Sequence, residues 1–280
     1  MPMKDLLRFG TLFFALLIAC PGFGQRKPKI KGNRSVITVD KELSPFTKLI
    51  LSEDLEVVLK PGDTERVRIE ADDNLIDILR FEVEGSTLSI SSFYTITSSK
   101  KLELILEYRQ LENIHVETGR LIGEETLNTD QLRLSIVEDG KAHLNIRASL
   151  MELTMEGKAS SELRVETDSL HATLEGSSDA FIYSSKGGID ISMTGQASLD
   201  LEGVAESLSV SLTDNAKLKA SGMEAEEVRA FLNASANARV KAVSNLAFEG
   251  RGSARLFVYG QPGIQILGLY DSAELHKVPD

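Results

Sequence analysis

A short phrase recurs along the second half of the chain and constrains the fold more than any other feature. Between residues 132 and 275, a polar residue is followed by alanine, any residue and an aliphatic residue, as in QASL at 196–199. Eight alanines mark the phrase: Ala142, Ala159, Ala180, Ala197, Ala216, Ala238, Ala254 and Ala273. Their gaps of 17, 21, 17, 19, 22, 16 and 19 residues give a period near 19. Such a drifting period is typical of a solenoid, whose stacked units bury faces that one unit cannot cover.

Each unit contains two segments in which every second residue is apolar, the pattern of half-buried β-strands. In two units the inward positions are Ile189, Ile191, Met193, Ala197, Leu199, Leu201, Leu208, Val210, Leu212, Ala216, Leu218 and Ala220. The alternating outward positions are Asp190, Ser192, Ser198, Asp200, Ser209, Ser211, Lys217 and Lys219. An even step of four or six residues precedes the alanine, which keeps it on the inward side.

Gly, Asp, Asn and Ser crowd just before each alanine, and these residues suit a tight turn. We therefore expect the alanine to lie inside a corner where two strands meet. The pattern predicts an all-β solenoid with about eight rungs of about 19 residues from Leu132 onward.

The first 24 residues are interpreted as a signal peptide. Lys4 and Arg8 precede an apolar run, residues 12–19, that is too short to span a bilayer comfortably. Two exits stay open: the LIAC segment at 17–20 would make Cys20 a lipidated N-terminus, whereas Gly22 and Gly24 would favour cleavage before Gln25. Residues 25–34 are interpreted as a basic, solvated linker.

The net charge of −11 argues against nucleic acid or anionic lipid as a partner. Cys20 is the single cysteine, so the folded part is expected to have no disulfide or thiol chemistry. A membrane contact is expected only through a lipid at Cys20.

Residues 35–120 are rich in strand patterns but lack the alanine phrase, and residues 74–79 are predicted to form a helical turn capped by Asp72 or Asp73. We assign 35–120 to a β-rich N-terminal part of the solenoid and 121–280 to its regular repeats, with the seam at 121–130.

An ordered series of segments resembles the GIN domain, the head domain of auto-transporter adhesins of Gram-negative envelopes. The segments are ILSEDLEVVLKPG at 50–62, VRIEADDNL at 67–75, VEGSTLSI at 83–90, LELILEYRQLENIHVETG at 102–119, FVYGQPGI at 257–264 and SAELHKV at 272–278. The resemblance covers roughly residues 45–278. It implies a right-handed parallel β-helix in the envelope or outside the cell, with no established enzymatic activity.

Residues that could carry chemistry are scattered. The four histidines, His115, His143, His171 and His276, have no histidine two or four residues away, so no metal site is predicted. Four aspartates near predicted corners are interpreted as turn formers: Asp139, Asp179, Asp214 and Asp271. The alternative is a stack of carboxylates and Ca²⁺ in a polysaccharide-active enzyme, but the short loops offer little to build a cleft. We predict no cofactor and no enzymatic activity.

Outward-facing aromatic residues are the candidates for binding. Phe181 and Tyr183 lie on one rung, and Phe257 and Tyr259 lie four rungs later, about 19 Å away at a rung spacing near 4.8 Å. Either pair could stack on a sugar. Separately, Ser169 and Ser272 follow aspartate and precede an aliphatic residue or alanine, which resembles the O-glycosylation acceptor of some envelope bacteria.

These features together predict an exported, non-catalytic interaction module resembling an adhesin head, which binds an unknown glycan or envelope protein. The expected location is the periplasm, the outer membrane or the cell surface of a Gram-negative bacterium. A polysaccharide-active enzyme and a structural or sensory periplasmic domain are the alternatives.

Overall fold

The computed structural model describes residues 27–279. The fold is almost entirely β, with 68% strand and 2% helix, and it forms a solenoid of about nine turns with rungs of about 19 residues. This confirms the predicted all-β solenoid. The signal peptide and Cys20 lie outside the described residues.

Strands β1–β10 form the less regular N-terminal part. They are β1 (Lys29–Lys31), β2 (Val36–Glu42), β3 (Lys48–Leu51), β4 (Glu56–Pro61), β5 (Arg66–Asp72), β6 (Leu79–Glu84), β7 (Thr87–Ser92), β8 (Thr95–Ser98), β9 (Leu102–Tyr108) and β10 (Asn113–Val116). Within residues 27–279 the one helix is α1 (Asp73–Ile76), which falls inside the predicted helical turn. Asp72 occupies its N-cap position but makes no side-chain cap hydrogen bond.

Strands β11–β22 form the regular rungs. They are β11 (Arg120–Asn128), β12 (Gln131–Ile136), β13 (Lys141–Met155), β14 (Ser160–Leu174), β15 (Asp179–Ser184), β16 (Gly188–Met193), β17 (Ser198–Leu212), β18 (Lys217–Leu232), β19 (Asn237–Gly250), β20 (Arg255–Tyr259), β21 (Gly263–Leu269) and β22 (Glu274–Lys277).

The strands stack into two faces. Face one runs β2, β5, β9, β4, β11, β13, β14, β15, β17, β18, β19, β20, β22. Face two runs β6, β7, β3, β10, β12, β13, β14, β16, β17, β18, β19, β21. The long strands β13, β14, β17, β18 and β19 contribute to both faces. Pairing is parallel throughout the regular rungs, whereas β2–β5, β5–β9 and β6–β7 are antiparallel.

Inward and outward positions follow the predicted alternation. All twelve predicted inward side chains, from Ile189 to Ala220, are buried, and all eight predicted outward residues are exposed or half-buried. Each buried aliphatic side chain of this kind contributes about 1.5–3 kcal/mol relative to an exposed one. The stacked inward columns are therefore the main source of stability.

A four-residue turn leads from face two back to face one in every regular rung. Its first tight position has positive φ each time, between 52° and 75°, at Glu138, Gly157, Gly176, Gly195, Asp214, Ala234, Gly252 and Asp271. The turns also stack, since the amide of Ser177 donates to the Gly157 carbonyl at 2.7 Å and that of Gln196 donates to Gly176 at 2.6 Å. Glycine, aspartate and asparagine precede the corner because this conformation favours them.

A column of small residues lines the corner two positions later: Gly140, Ala159, Ser178, Ala197, Ala216, Ala236, Ala254 and Ala273. Residues following the corner hydrogen-bond down this column, as where the Lys217 amide donates to the Ala197 carbonyl at 2.9 Å. The corner assignment was wrong for Ala142, Ala180 and Ala238. These alanines are buried, but they lie at the next inward position, two residues into face one.

The segment interpreted as a basic linker contains strand β1, which pairs in parallel with β8. Buried Asp72 helps to hold this segment, because its carboxylate accepts the amides of Arg34 and Lys100, each at 3.1 Å. Burial alone would raise the pKa of Asp72, but the amides of Lys100 and Arg34 lower it overall. The charged carboxylate therefore ties the start of the chain to the 98–101 loop.

We expect Asp72→Asn to lower the melting temperature at pH 7, since the amide cannot replace a carboxylate that accepts two N–H groups. Because the pKa of Asp72 is lower in the folded chain than its ordinary value of about 3.9, its stabilising effect is present above about pH 4. The effect disappears as the pH falls through the lowered value. Thermal melts from pH 7 to pH 2 should show the gap to wild type narrowing, while exposed Asp77→Asn should change little. A gap that does not vary with pH would contradict this role.

Candidate functional site

The four predicted aromatic residues point outward from face one, in two neighbouring columns. Phe181 and Phe257 share one column, separated in register by Asp200, Lys219 and Arg239. The spacing of four rungs is therefore as expected. The structure does not bring the two pairs together into a single aromatic platform.

The surroundings of the aromatic rings differ. The Phe257 ring stacks on the His276 ring, with centroids 4.9 Å apart, and the Arg239 guanidinium lies 5.9 Å from its centroid. The Tyr183 side chain is 44% exposed and lies between Arg164 and Glu202 in register. Of the four rings, Phe181, Phe257 and Tyr259 are half-buried, so Tyr183 offers the freest surface for a ligand.

The two predicted glycosylation serines differ in access. Ser272 is exposed in the last turn, while Ser169 is half-buried and its Oγ lies 3.3 Å from His171 Nε2. Modification at either residue stays a prediction.

The predicted stack of aspartates is not assembled. Asp214 and Asp271 occupy the positive-φ turn position, whereas Asp139 lies one residue further along its turn and Asp179 begins strand β15. The Oδ2 atoms of Asp214 and Asp271 accept the amides of Gly195 and Gly252, each at 3.2 Å, from the rung below. These two carboxylates serve the turns, as the turn-former interpretation predicted.

Outward charges pair across neighbouring rungs. Lys219 Nζ lies 2.5 Å from Asp200 Oδ2, His143 Nδ1 lies 3.2 Å from Glu162 Oε2, and His171 Nδ1 lies 3.5 Å from an Asp190 oxygen. Exposed pairs of this kind contribute little stability, about 0–1 kcal/mol each. Within residues 27–279 no group of three or more His, Cys, Asp and Glu side chains is placed to hold a metal ion. Over the same residues, no helix has the length and apolar character needed to cross a membrane.

A polar groove on face two, not predicted from the sequence, is the candidate binding site. This seam groove has a volume of about 430 Å³ and lies where the N-terminal part meets the regular rungs. It is lined by Lys48, Gln110, Glu112, Asn113, Thr129, Asp130, Gln131, Leu132, Arg133, Leu150 and Glu152. Its position next to the predicted seam at 121–130 was the one sequence signal that pointed to this region.

Parallel strand pairing sets the chemistry of the seam groove. Lys48, Asn113, Arg133 and Glu152 form one outward column across β3, β10, β12 and β13. Arg133 Nε donates to Glu152 Oε2 at 2.6 Å, and Gln110 Nε2 donates to Glu112 Oε1 at 3.1 Å. The groove therefore combines cationic donors, amides and carboxylate acceptors on a rigid β-sheet. Such a surface can hydrogen-bond a polyhydroxylated ligand.

A sequence model of one protein family matches most of the chain. The family is described as "Putative auto-transporter adhesin, head GIN domain", and the matches cover residues 45–186 and 182–262. No curated protein matches the chain.

Solved structures share the fold at low sequence identity. A putative adhesin from Parabacteroides merdae superposes with a TM-score of 0.68 at 17% identity, covering 90% of this chain and 100% of its own. A putative adhesin from Parabacteroides distasonis gives 0.70 at 15% identity, covering 89% and 100%. A protein from the same organism, titled a putative lipid binding protein, gives 0.63 at 17% identity, covering 90% and 100%. At these identities the similarity shows the fold alone.

Proposed function

Since the chain belongs to the head GIN domain family of auto-transporter adhesins, we propose that it is an exported, non-catalytic interaction module that binds a glycan. The seam groove is the proposed contact. A protein ligand from the envelope is the alternative class of partner.

The observation that carries the proposal is the in-register column of Lys48, Asn113, Arg133 and Glu152 along the seam groove. Sugars are recognised through many hydrogen bonds to hydroxyl groups, and this column offers both donors and acceptors. The strands hold the four side chains in a fixed row, which limits the ordering cost of binding. The Arg133–Glu152 pair also keeps both groups oriented before a ligand arrives.

Tyr183 is the proposed second contact, because its exposed ring can stack on the apolar side of a sugar. It lies on face one, whereas the seam groove lies on face two. A long or branched glycan would be needed to reach both contacts, so each is proposed to bind separately.

We expect Arg133→Ala and Asn113→Ala to weaken binding about 10-fold or more on a glycan array, because each removes hydrogen-bond donors from the column. Tyr183→Ala should weaken only glycans that bind face one. Ser211→Ala, an exposed outward residue, serves as the control. Array signals that are unchanged in all three binding variants would refute glycan binding at these contacts. Turnover of an acidic polysaccharide with added Ca²⁺ would refute the non-catalytic assignment.

Export is proposed to depend on residues 1–24, with lipidation of Cys20 or cleavage before Gln25 as the two routes. Intact-mass spectrometry of the natively exported protein distinguishes them, since a lipid adds mass at Cys20 and cleavage before Gln25 removes that residue. The same spectrum tests hexose additions at Ser169 and Ser272. A mass equal to that of the full unprocessed chain would refute both routes.

A further inference from the structure

The last rung of the solenoid exposes residues that every earlier rung buries. In the register of face two, Ile264 pairs with Leu246 and Ile266 pairs with Phe248, which places both isoleucines in inward columns. Leu246 and Phe248 are 1% and 0% exposed, whereas Ile264 and Ile266 are 37% and 54% exposed. Strand β21 pairs with β19, and no other strand within residues 27–279 covers its second edge.

The exposed apolar surface continues beyond these two residues. Leu267, Leu269 and Tyr270 are each 43–49% exposed, and we call these five residues, from Ile264 to Tyr270, the open end. No charged residue occurs from Gly260 to Tyr270, although 26% of the chain is charged. The five side chains expose on the order of 400–500 Å², near the upper range for the largest apolar patch of a monomer.

The opposite end of the solenoid is protected against pairing. Its two edge strands carry charged side chains: Asp40, Lys41 and Glu42 on β2, and Arg80, Glu82 and Glu84 on β6. Charged residues on an edge strand discourage another chain from adding to the sheet. Helix α1 also contributes buried Leu75 and Ile76 at this end. The N-terminal end is thus capped, while β21 carries neither charge nor cover.

We propose that the open end binds the open end of a second copy of this chain and forms a two-fold symmetric dimer. A suitable partner must supply both an unpaired β-edge and an apolar interior of the same cross-section, and an identical last rung supplies both. The acidic sides of the two copies repel each other, but the uncharged open ends can meet without like-charge contact. Because the other end is charged and capped, assembly stops at two copies and does not continue as a filament.

The size of the contact predicts a reversible dimer. The apolar area of the open end is smaller than the roughly 800 Å² per partner of a standard stable interface, and backbone pairing along β21 adds to it. We therefore expect the dimer to dissociate on dilution.

Sedimentation velocity of the natively processed protein over a wide concentration range tests the proposal. Wild type should shift from monomer to dimer as concentration rises. Ile266→Glu, at the most exposed of the five positions, should weaken dimerisation at least 10-fold, and Leu269→Glu should act in the same direction. Val204→Glu is the matched control, since Val204 is a 47% exposed apolar residue of strand β17, away from the open end. Circular dichroism should show that all three variants stay folded, because none of the replaced residues is buried.

Wild type that stays monomeric at every concentration would overturn the proposal. So would a dimer that Ile266→Glu and Leu269→Glu leave intact, or one that Val204→Glu disrupts equally. Flotation with phosphatidylcholine vesicles provides a separate arm. Vesicle binding by a monomeric wild type that is lost in Ile266→Glu would assign the open end to a lipid surface instead.

Discussion

Replacing Val210 by aspartate will destabilise the solenoid by about 3–5 kcal/mol, because it places an unpaired charge between two buried layers. Val210 is fully buried and lies in register between Ile191 and Ala230 of the neighbouring rungs. No water reaches this position to solvate a carboxylate. Ala197→Glu should have a comparable effect, since Ala197 is buried in the corner column.

Ser209→Asp is the matched control, as it introduces the same carboxylate one residue away on the outward side of face two. We expect its effect to lie within about 0.5 kcal/mol, as for other surface substitutions. Urea denaturation followed by circular dichroism gives the unfolding free energies of all three variants. Equal stability of Val210→Asp and Ser209→Asp would contradict the assignment of inward and outward positions.

Gly203→Ala is expected to cost about 3 kcal/mol or more, the second large effect. Gly203 has a φ of 111°, which side chains rarely adopt, and an added Cβ would lie 1.9 Å from the carbonyl oxygen of Ser184. That oxygen belongs to the backbone of the rung below, in register with Gly203. Relief of the clash would therefore require the stacked rungs to move apart.

Gly62→Ala provides the comparison for Gly203→Ala. An added Cβ at Gly62 would approach only the flexible Glu107 side chain, no closer than 3.6 Å. Its melting temperature should stay close to that of wild type, while that of Gly203→Ala should fall by several degrees. Similar melting temperatures for the two alanine variants would show that Ser184 and Gly203 are not in close contact.

The alternation of apolar and polar residues was sufficient to predict the stacking of the regular rungs. It could not distinguish the corner column from the next inward column, because both bury small residues and both have the same parity. Ala180 and Ala197 therefore seemed equivalent in sequence, although the backbone hydrogen bonds place only Ala197 at the corner. Mixing the two columns produced the alternating gaps of 17 and 21 residues, whereas the corner column itself keeps a spacing of 18–20.

The candidate sites depend on contacts that a sequence pattern does not report. The seam groove joins Lys48 to Asn113 and Arg133 through strand pairing between distant segments. Parity likewise assigns Ile266 to the interior and cannot tell that no rung follows it. The uncharged run from Gly260 to Tyr270 was the sequence signal that could have identified the open end.

Engineered cysteine pairs test the parallel rung register most directly. Ser192 and Ser211 are exposed, outward-facing and paired in register on neighbouring rungs of face two, so Ser192→Cys with Ser211→Cys should form a disulfide on mild oxidation. Ser192→Cys with Ser209→Cys should not, because a shift of two residues separates the Cα atoms by about 8 Å. Non-reducing peptide mass spectrometry identifies the linked residues. A disulfide in the first pair alone is the predicted result, and equal or exclusive linkage of the second pair would contradict the solenoid register.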